Sequence, residues 1–394
     1  MLASNSPSPS FPISASPRPF PEERPYWLAW PQIDGIGPSR LKQLFLHFGS
    51  LQVAWEASAR DFLQVERIGL TLADAIARDR DALDVMTVSD RLTADLPEGA
   101  DVITPADITY PPMLWEIPDP PPALYLKGQH RLWSPAIAIV GTRSPSKYGR
   151  RWTEAVATGL AHAGFAIVSG MALGVDAVAH QAAINAHKPT IAVLGTGVDV
   201  VYPGKHRHLA AQIQDVGMLV SEFPCGTGPT RTNFPRRNRI VAALAQATAI
   251  MEAPSRSGAL ITARFANDYN RDVYALPGSL DTPQARGCLE LIDRGATQIL
   301  GVTELLDALG SPLARQPSPP AQSSSQEPPP ELSGAALDIW IALEEALPFD
   351  LLAVETGLDA STLSSTLLMM ELGGAIEQLP GMRYCRCLNR TSSK

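Results

Sequence analysis

Ala166-Ile167-Val168-Ser169-Gly170-Met171-Ala172-Leu173-Gly174-Val175-Asp176 passes from a short aliphatic run, through a loop of small residues, into a segment with helical spacing. The run has no polar face, as expected of a strand covered on both sides. Val175–Ala186 then reads as the helix that follows it. The same unit recurs. Further aliphatic runs stand at Ala136–Val140, Thr190–Leu194, Met218–Val220, Ala249–Met251 and Val273–Leu276, with helical stretches such as Arg151–Ala163 between them. Strands alternating with helices over this length describe an α/β fold, a doubly wound Rossmann-like parallel sheet.

The flanking sequence reads differently. Residues 1–25 are rich in Pro and Ser and poor in aliphatics, so burial cannot offset their ordering entropy; a disordered tail is expected. Residues 26–100 carry apolar positions at three- and four-residue spacing (Leu41, Leu44, Phe45, Phe48) and two glycine turns, Ile33-Asp34-Gly35-Ile36-Gly37 and Val65-Glu66-Arg67-Ile68-Gly69. This predicts an all-α, helix-hairpin-helix (SAM-like) domain. Its turns are either phosphate-binding or plain αα-turns that need glycine for their backbone angles. The sheet domain is expected over 101–310, a Pro/Ser-rich linker over 311–331, and a winged helix over 332–390, with helices near Gly334–Glu345, Phe349–Thr356 and Ala360–Leu372. A hairpin follows around Pro380-Gly381.

With 394 residues, 45% hydrophobic, the chain can fill several cores. A net charge of −8 excludes coating of nucleic acid by bulk positive charge, so any such site must be a local basic patch. Four scattered cysteines make no disulfide framework, and no CxxC pair points to structural zinc. No apolar run reaches membrane-spanning length and no signal pattern opens the chain, so a cytoplasmic protein without membrane contact is expected.

The chemistry concentrates just after the strands. The loops are Gly141-Thr142-Arg143, Ser169-Gly170-Met171-Ala172-Leu173-Gly174, Gly195-Thr196-Gly197, Ser221-Glu222-Phe223 and Glu252 through Ser257-Gly258. Ligands of doubly wound sheets bind at this edge, where small residues let amides approach an anion. Basic residues gather in three groups: Arg143, Lys147, Arg150 and Arg151; Arg231, Arg236, Arg237 and Arg239 around Phe234 and Asn238; and Lys205 through His208. Guanidinium groups suit phosphates, and Phe234 and Tyr148 offer stacking faces to unpaired bases. No GxxxxGK[ST], GxGxxG, HExxH or GxSxG occurs. Asp176 and His180 lie four apart on one helix and are expected to share a hydrogen bond that supports the helix; Ser257 reads as a helix cap. No catalytic residue, metal or cofactor is expected.

The stretch from about Tyr110 to Ala296 resembles the DNA-processing protein A (DprA/Smf) family. The resemblance rests on Tyr110-Pro111-Pro112-Met113-Leu114, Val140-Gly141-Thr142-Arg143, Val168 through Ala177, Tyr202-Pro203, Ser221-Glu222-Phe223-Pro224, Phe234-Pro235-Arg236-Arg237-Asn238-Arg239, Ser257 through Ala263 and Pro277-Gly278-Ser279. It implies a non-catalytic protein that binds and protects incoming single-stranded DNA, loads the RecA recombinase during natural transformation, and dimerises through the Rossmann-like domain. It also implies that Arg143, Gly170, Gly195, Arg231 and Arg236 to Arg239 line the phosphate pocket. The same loop edge suits a nucleoside phosphate, so a nucleotide-binding or nucleotide-cleaving protein is the alternative.

Two features depart from the family pattern. Leu289 stands where an Asn is usual, and from Leu332 to Met382 there are eight acids and no Lys, Arg or His. A helix that reads duplex DNA needs cations for the backbone, so the terminal module is expected to contact protein instead.

Overall fold

The computed structural model describes residues 20–129, 133, 135–310, 332–343, 347–373, 375–379 and 383–386. Most of the expected tail, the linker and the Pro380-Gly381 turn lie outside them. The chain divides into two compact units, within 1–316 and 317–394.

The first unit opens with helices α1 (Arg24–Ala29), α2 (Pro38–Phe48), α3 (Leu51–Glu56), α4 (Ala59–Phe62), α5 (Leu70–Asp81) and α6 (Val85–Ala94). Residues 20–25, expected in the tail, belong to this helical part. Glu23 is buried and accepts hydrogen bonds from Ser50 Oγ and, at 2.7 Å, from Leu51 N, while Arg24 Nη2 donates to Val102 O at 2.6 Å. Those long-range contacts outweigh the proline-rich local pattern. Gly37 and Gly69 sit in extended backbone immediately before α2 and α5. Asp34 Oδ1 already accepts the Gly35 N–H, and Arg40 donates to Gly35 O. These two bonds brace the first turn from within.

A nine-stranded sheet follows, built from β1 (Ala100–Ile103), β2 (Leu124–Gly128), β3 (Ala136–Val140), β4 (Ala166–Ser169), β5 (Thr190–Val193), β6 (Met218–Ser221), β7 (Ala247–Ile250), β8 (Asp272–Ala275) and β9 (Thr297–Gln298), in the order β1-β2-β6-β5-β4-β3-β7-β8-β9. From β6 to β9 every pairing is parallel; β1 and β2 add an antiparallel edge. The connecting helices are α7 (Pro112–Glu116), α8 (Lys147–His162), α9 (Val175–Asn185), α10 (Arg207–Val216), α11 (Asn233–Ala243), α12 (Gly258–Asp268), α13 (Arg286–Asp293) and α14 (Val302–Leu309).

Side chains alternate across β3. Ile137 and Ile139 enter a core with Val156 and Leu160 of α8, Ala179 of α9 and Leu305 of α14. Ala138 and Val140 face Ile240 of α11 and Ala263 of α12 in a second core that continues into the helical part. Lys42 Nζ fixes that junction, donating to Trp115 O and Ile117 O at 2.7 and 2.8 Å. Strand order reverses at β3, which has β4 on one side and β7 on the other, so the crevice at their carboxyl ends is the switch point where such sheets bind ligands.

The second unit holds α15 (Ala335–Ala342), β10 (Leu347–Pro348), α16 (Phe349–Thr356), α17 (Ala360–Leu372), β11 (Ile376–Leu379) and β12 (Arg383–Arg386). Its strands pair in the order β10-β12-β11. Ile339, Trp340, Leu352, Leu363, Leu367 and Tyr384 form its core.

Trp30 is fully buried, lies edge-on to Trp55 and Phe62, and donates its indole N–H to Leu51 O at 3.1 Å. Trp30→Ala is expected to cost about 3–5 kcal/mol, measured by denaturant unfolding. A loss below about 1 kcal/mol would show that this cluster is not a cooperative part of the fold.

Candidate nucleic-acid interface

The crevice at the β3/β7 switch point is a cleft of about 580 Å³. Five loops and the start of α11 wall it, bringing together Gly141, Arg143, Gly170, Arg231, Phe234, Arg237, Asn238, Ser257 and Gly258 from the expected set. Its floor is held by Arg237, which is 5% exposed. Nη1 of Arg237 donates to Gly170 O at 2.7 Å and to Val193 O, and Nε donates to Asn238 Oδ1 at 3.1 Å. Gly170 is required here, because a Cβ at that position would stand 2.6 Å from the guanidinium. Burial pushes the Arg237 pKa down to about 10, with Asp176 opposing and Arg143 reinforcing the shift. It stays cationic at neutral pH.

Asp176 faces this cation. One of its oxygens accepts from Gly170 N and Ala172 N at 3.2 Å each; burial raises its pKa, opposed first by Arg237. It does not bond His180, contrary to the expectation from their four-residue spacing. His180 Nδ1 instead lies 2.7 Å from Thr190 Oγ1, whose own proton goes to Ile167 O. The hydroxyl must therefore accept, which places the imidazole proton on Nδ1. Nε2 is then a buried atom without a partner. Ser257 caps α12, accepting from Ala259 N at 3.2 Å, as expected.

At the mouth the cations behave differently. Arg143 and Arg231 are exposed and enter no ion pair among the described residues. Phe234 lies over Gly195, where a Cβ would come within 2.8 Å of the ring. Its ring centroid is 5.3 Å from that of the exposed Tyr202. Along the sequence Tyr202 stands out only within the Tyr202-Pro203 pair; its packing on Phe234 is set by two distant loops, and no local signal carries it.

Other expected residues stand elsewhere. Ser169 and Thr196 are buried and donate to Ile139 O and Val200 O at 2.6 Å each. Met171 is buried, with its carbonyl 2.9 Å from His206 Nδ1. Gly197 packs against Pro224 and Asp199. Gly174 has φ +87° and passes close to the Thr142 and Arg143 carbonyls. These residues shape the loops without reaching the cleft. Arg239 is 2% exposed and bound to Glu222 and Asp119; Arg236 is half-exposed over Phe223 and pairs with Glu222 at 3.3 Å. The buried Glu222 carboxylate draws both away from the cleft. Lys147 belongs to a neighbouring recess.

Comparison with known proteins agrees with this architecture. Residues 101–310 match the family described as DNA recombination-mediator protein A, and residues 319–382 match the DprA winged helix domain. The chain belongs to the DprA/Smf family. Among DprA/Smf relatives, Protein Smf of Synechocystis is 41% identical over 92% of this chain and 99% of its own length. Protein Smf of Escherichia coli is 39% identical over 71% of this chain and 76% of its own. The X-ray structure of DprA from Streptococcus pneumoniae superposes with a TM-score of 0.63 at 32% identity, covering 72% of this chain and 97% of that one. Membership gives this DprA/Smf chain a DNA-processing role. Among the described residues no helix is long and apolar enough to cross a membrane.

His180 also gives a test of the fold around the site. Burial, with the nearby charges of His206 and Arg237, lowers its pKa from 6.5 to about 3. Between these values the unfolded chain binds the proton that the folded chain refuses, so stability falls as pH drops below about 6.5 and stops falling near 3. Urea unfolding at about pH 5.5 and pH 4.5 is expected to show a slope of about 1.4 kcal/mol per pH unit from this group, flattened in His180→Gln. An unchanged slope in that variant would locate the acid sensitivity elsewhere.

Proposed function

We propose that the protein binds single-stranded DNA in the β3/β7 cleft without cutting it, in the cytoplasm, and passes the strand to RecA during transformation, acting as a homodimer through the Rossmann-like domain. One observation carries the binding reading: two exposed arginines without ion-pair partners, Arg143 and Arg231, flank a switch-point cleft whose mouth carries the Tyr202–Phe234 aromatic pair. Exposed guanidinium groups hold phosphates, and the rings stack unpaired bases with little regard to sequence. Asp176 and Ser257 support a binder, because each is committed to backbone N–H groups. The steps after binding, including RecA loading, rest on the family alone.

Replacing Arg143 and Arg231 together with Ala is expected to weaken oligo-dT binding and lower the slope of log K against log salt by about 1.4, two phosphates at roughly 0.7 each. Fluorescence anisotropy across salt concentrations measures both. Unchanged affinity rejects the cleft, and tighter binding of a mononucleotide than of the oligomer would turn the reading toward a nucleotide enzyme or sensor.

The winged helix fits a protein partner. In α17 the exposed side chains include Leu368, Met369 and Leu372, and the helix carries no cation. Deletion of residues 311–394 is expected to leave single-strand affinity within about twofold, measured by the same anisotropy titration. A tenfold loss would assign the module to DNA.

A further inference from the structure

Beside the cleft lies a second opening of about 730 Å³. The two share walls. The loop after β3 gives Thr142 and Arg143 to the cleft and, with the first residues of α8, Ser146, Lys147 and Tyr148 to the recess; the loop after β7 gives Pro254 to the cleft and Glu252 to the recess. A hydrogen bond of 2.6 Å from Thr142 N to Glu252 O joins these loops into one ridge. Arg143 stands exposed on that ridge.

The recess suits a base with its phosphate at the rim. Tyr148 forms one wall and is 38% exposed; its hydroxyl donates to Pro277 O at 3.0 Å, which fixes the ring. The Arg151 guanidinium lies 5.9 Å from the ring centroid. The buried Glu252 side chain accepts from Ser146 N and Oγ at 2.8 and 2.6 Å and is thus held by the start of α8. Lys147 is exposed at the rim and enters no ion pair among the described residues. Leu276, Pro277 and Gly278 complete an apolar side.

We propose that this recess is a second nucleotide subsite on the strand's path: one base stacks on Tyr148, and Lys147 takes the adjoining phosphate. The proposal rests on the reading of the cleft as a single-strand site and extends its footprint past the ridge. It also gives Lys147 a role that the cleft itself does not.

Oligonucleotides of two lengths test it in the full chain. On this proposal dT4 held in the cleft stops short of the ridge, whereas dT20 also reaches the recess. Tyr148→Ala is expected to weaken dT20 about tenfold, within the range for one lost stacking partner, and to leave dT4 unchanged. Tyr148→Phe, which keeps the ring, binds both like the parent protein. Lys147→Ala lowers the dT20 salt slope by about 0.7 and the dT4 slope not at all. A dT20 affinity unaffected by Tyr148→Ala, or a loss shared equally by both lengths, overturns the second subsite. The Arg143/Arg231 double variant separates the two readings. If it binds dT20 normally, the cleft reading fails as well; if it loses dT20 while Tyr148→Ala does not, only the subsite fails.

Discussion

A buried cation underlies the cleft. Arg237 leaves water at a cost of several kcal/mol and recovers it through two carbonyls, the Asn238 side chain and the facing Asp176. The carbonyls belong to β5 and to the loop after β4, and the guanidinium to α11, so one side chain sets the spacing of three elements around the switch point. Gly170 lies directly beneath it, where any side chain would collide. Around this scaffold the loop amides of Gly170 and Ala172 are already committed to Asp176, which leaves the exposed guanidinium groups at the mouth as the groups open to an anion.

The same residue type does opposite work a few residues away. Arg237 and Arg239 are structural, each bound to internal acceptors, while Arg143 and Arg231 reach solvent without ion-pair partners. Glu222 makes the division. Its buried carboxylate takes Arg239 and Arg236, and through Arg239 and Asp119 it ties the end of β6 to the segment ahead of β2. An acidic chain thus spends part of its arginine on holding loops and exposes the rest where a phosphate can reach it.

Which segments form the central strands was legible because each is aliphatic on both faces, and the helices between them carry a regular apolar stripe; their order in the sheet was not. The edge strands were less legible. β1 opens with Ala100-Asp101 and β9 is two residues long, so neither has an apolar run to detect; they form because β2 and β8 offer open edges. Residues 20–25 looked like tail from their composition, yet Glu23 is fixed by Ser50 and Leu51, partners some 28 positions away. Local composition cannot register such a contact.

Taken alone, the residues determined the α/β class, the carboxyl edge as the place of the candidate site and the arginines clustered in sequence beside it, since these follow from periodicity, small loop residues and the clustering of arginine. The tertiary structure decided which arginines face solvent, that Tyr202 pairs with Phe234, that Asp176 serves amides and not His180, and that Lys147 lies across a ridge from the cleft. Those outcomes depend on where distant loops meet. Burial and partner choice are properties of the packed chain, and spacing along the sequence does not encode them.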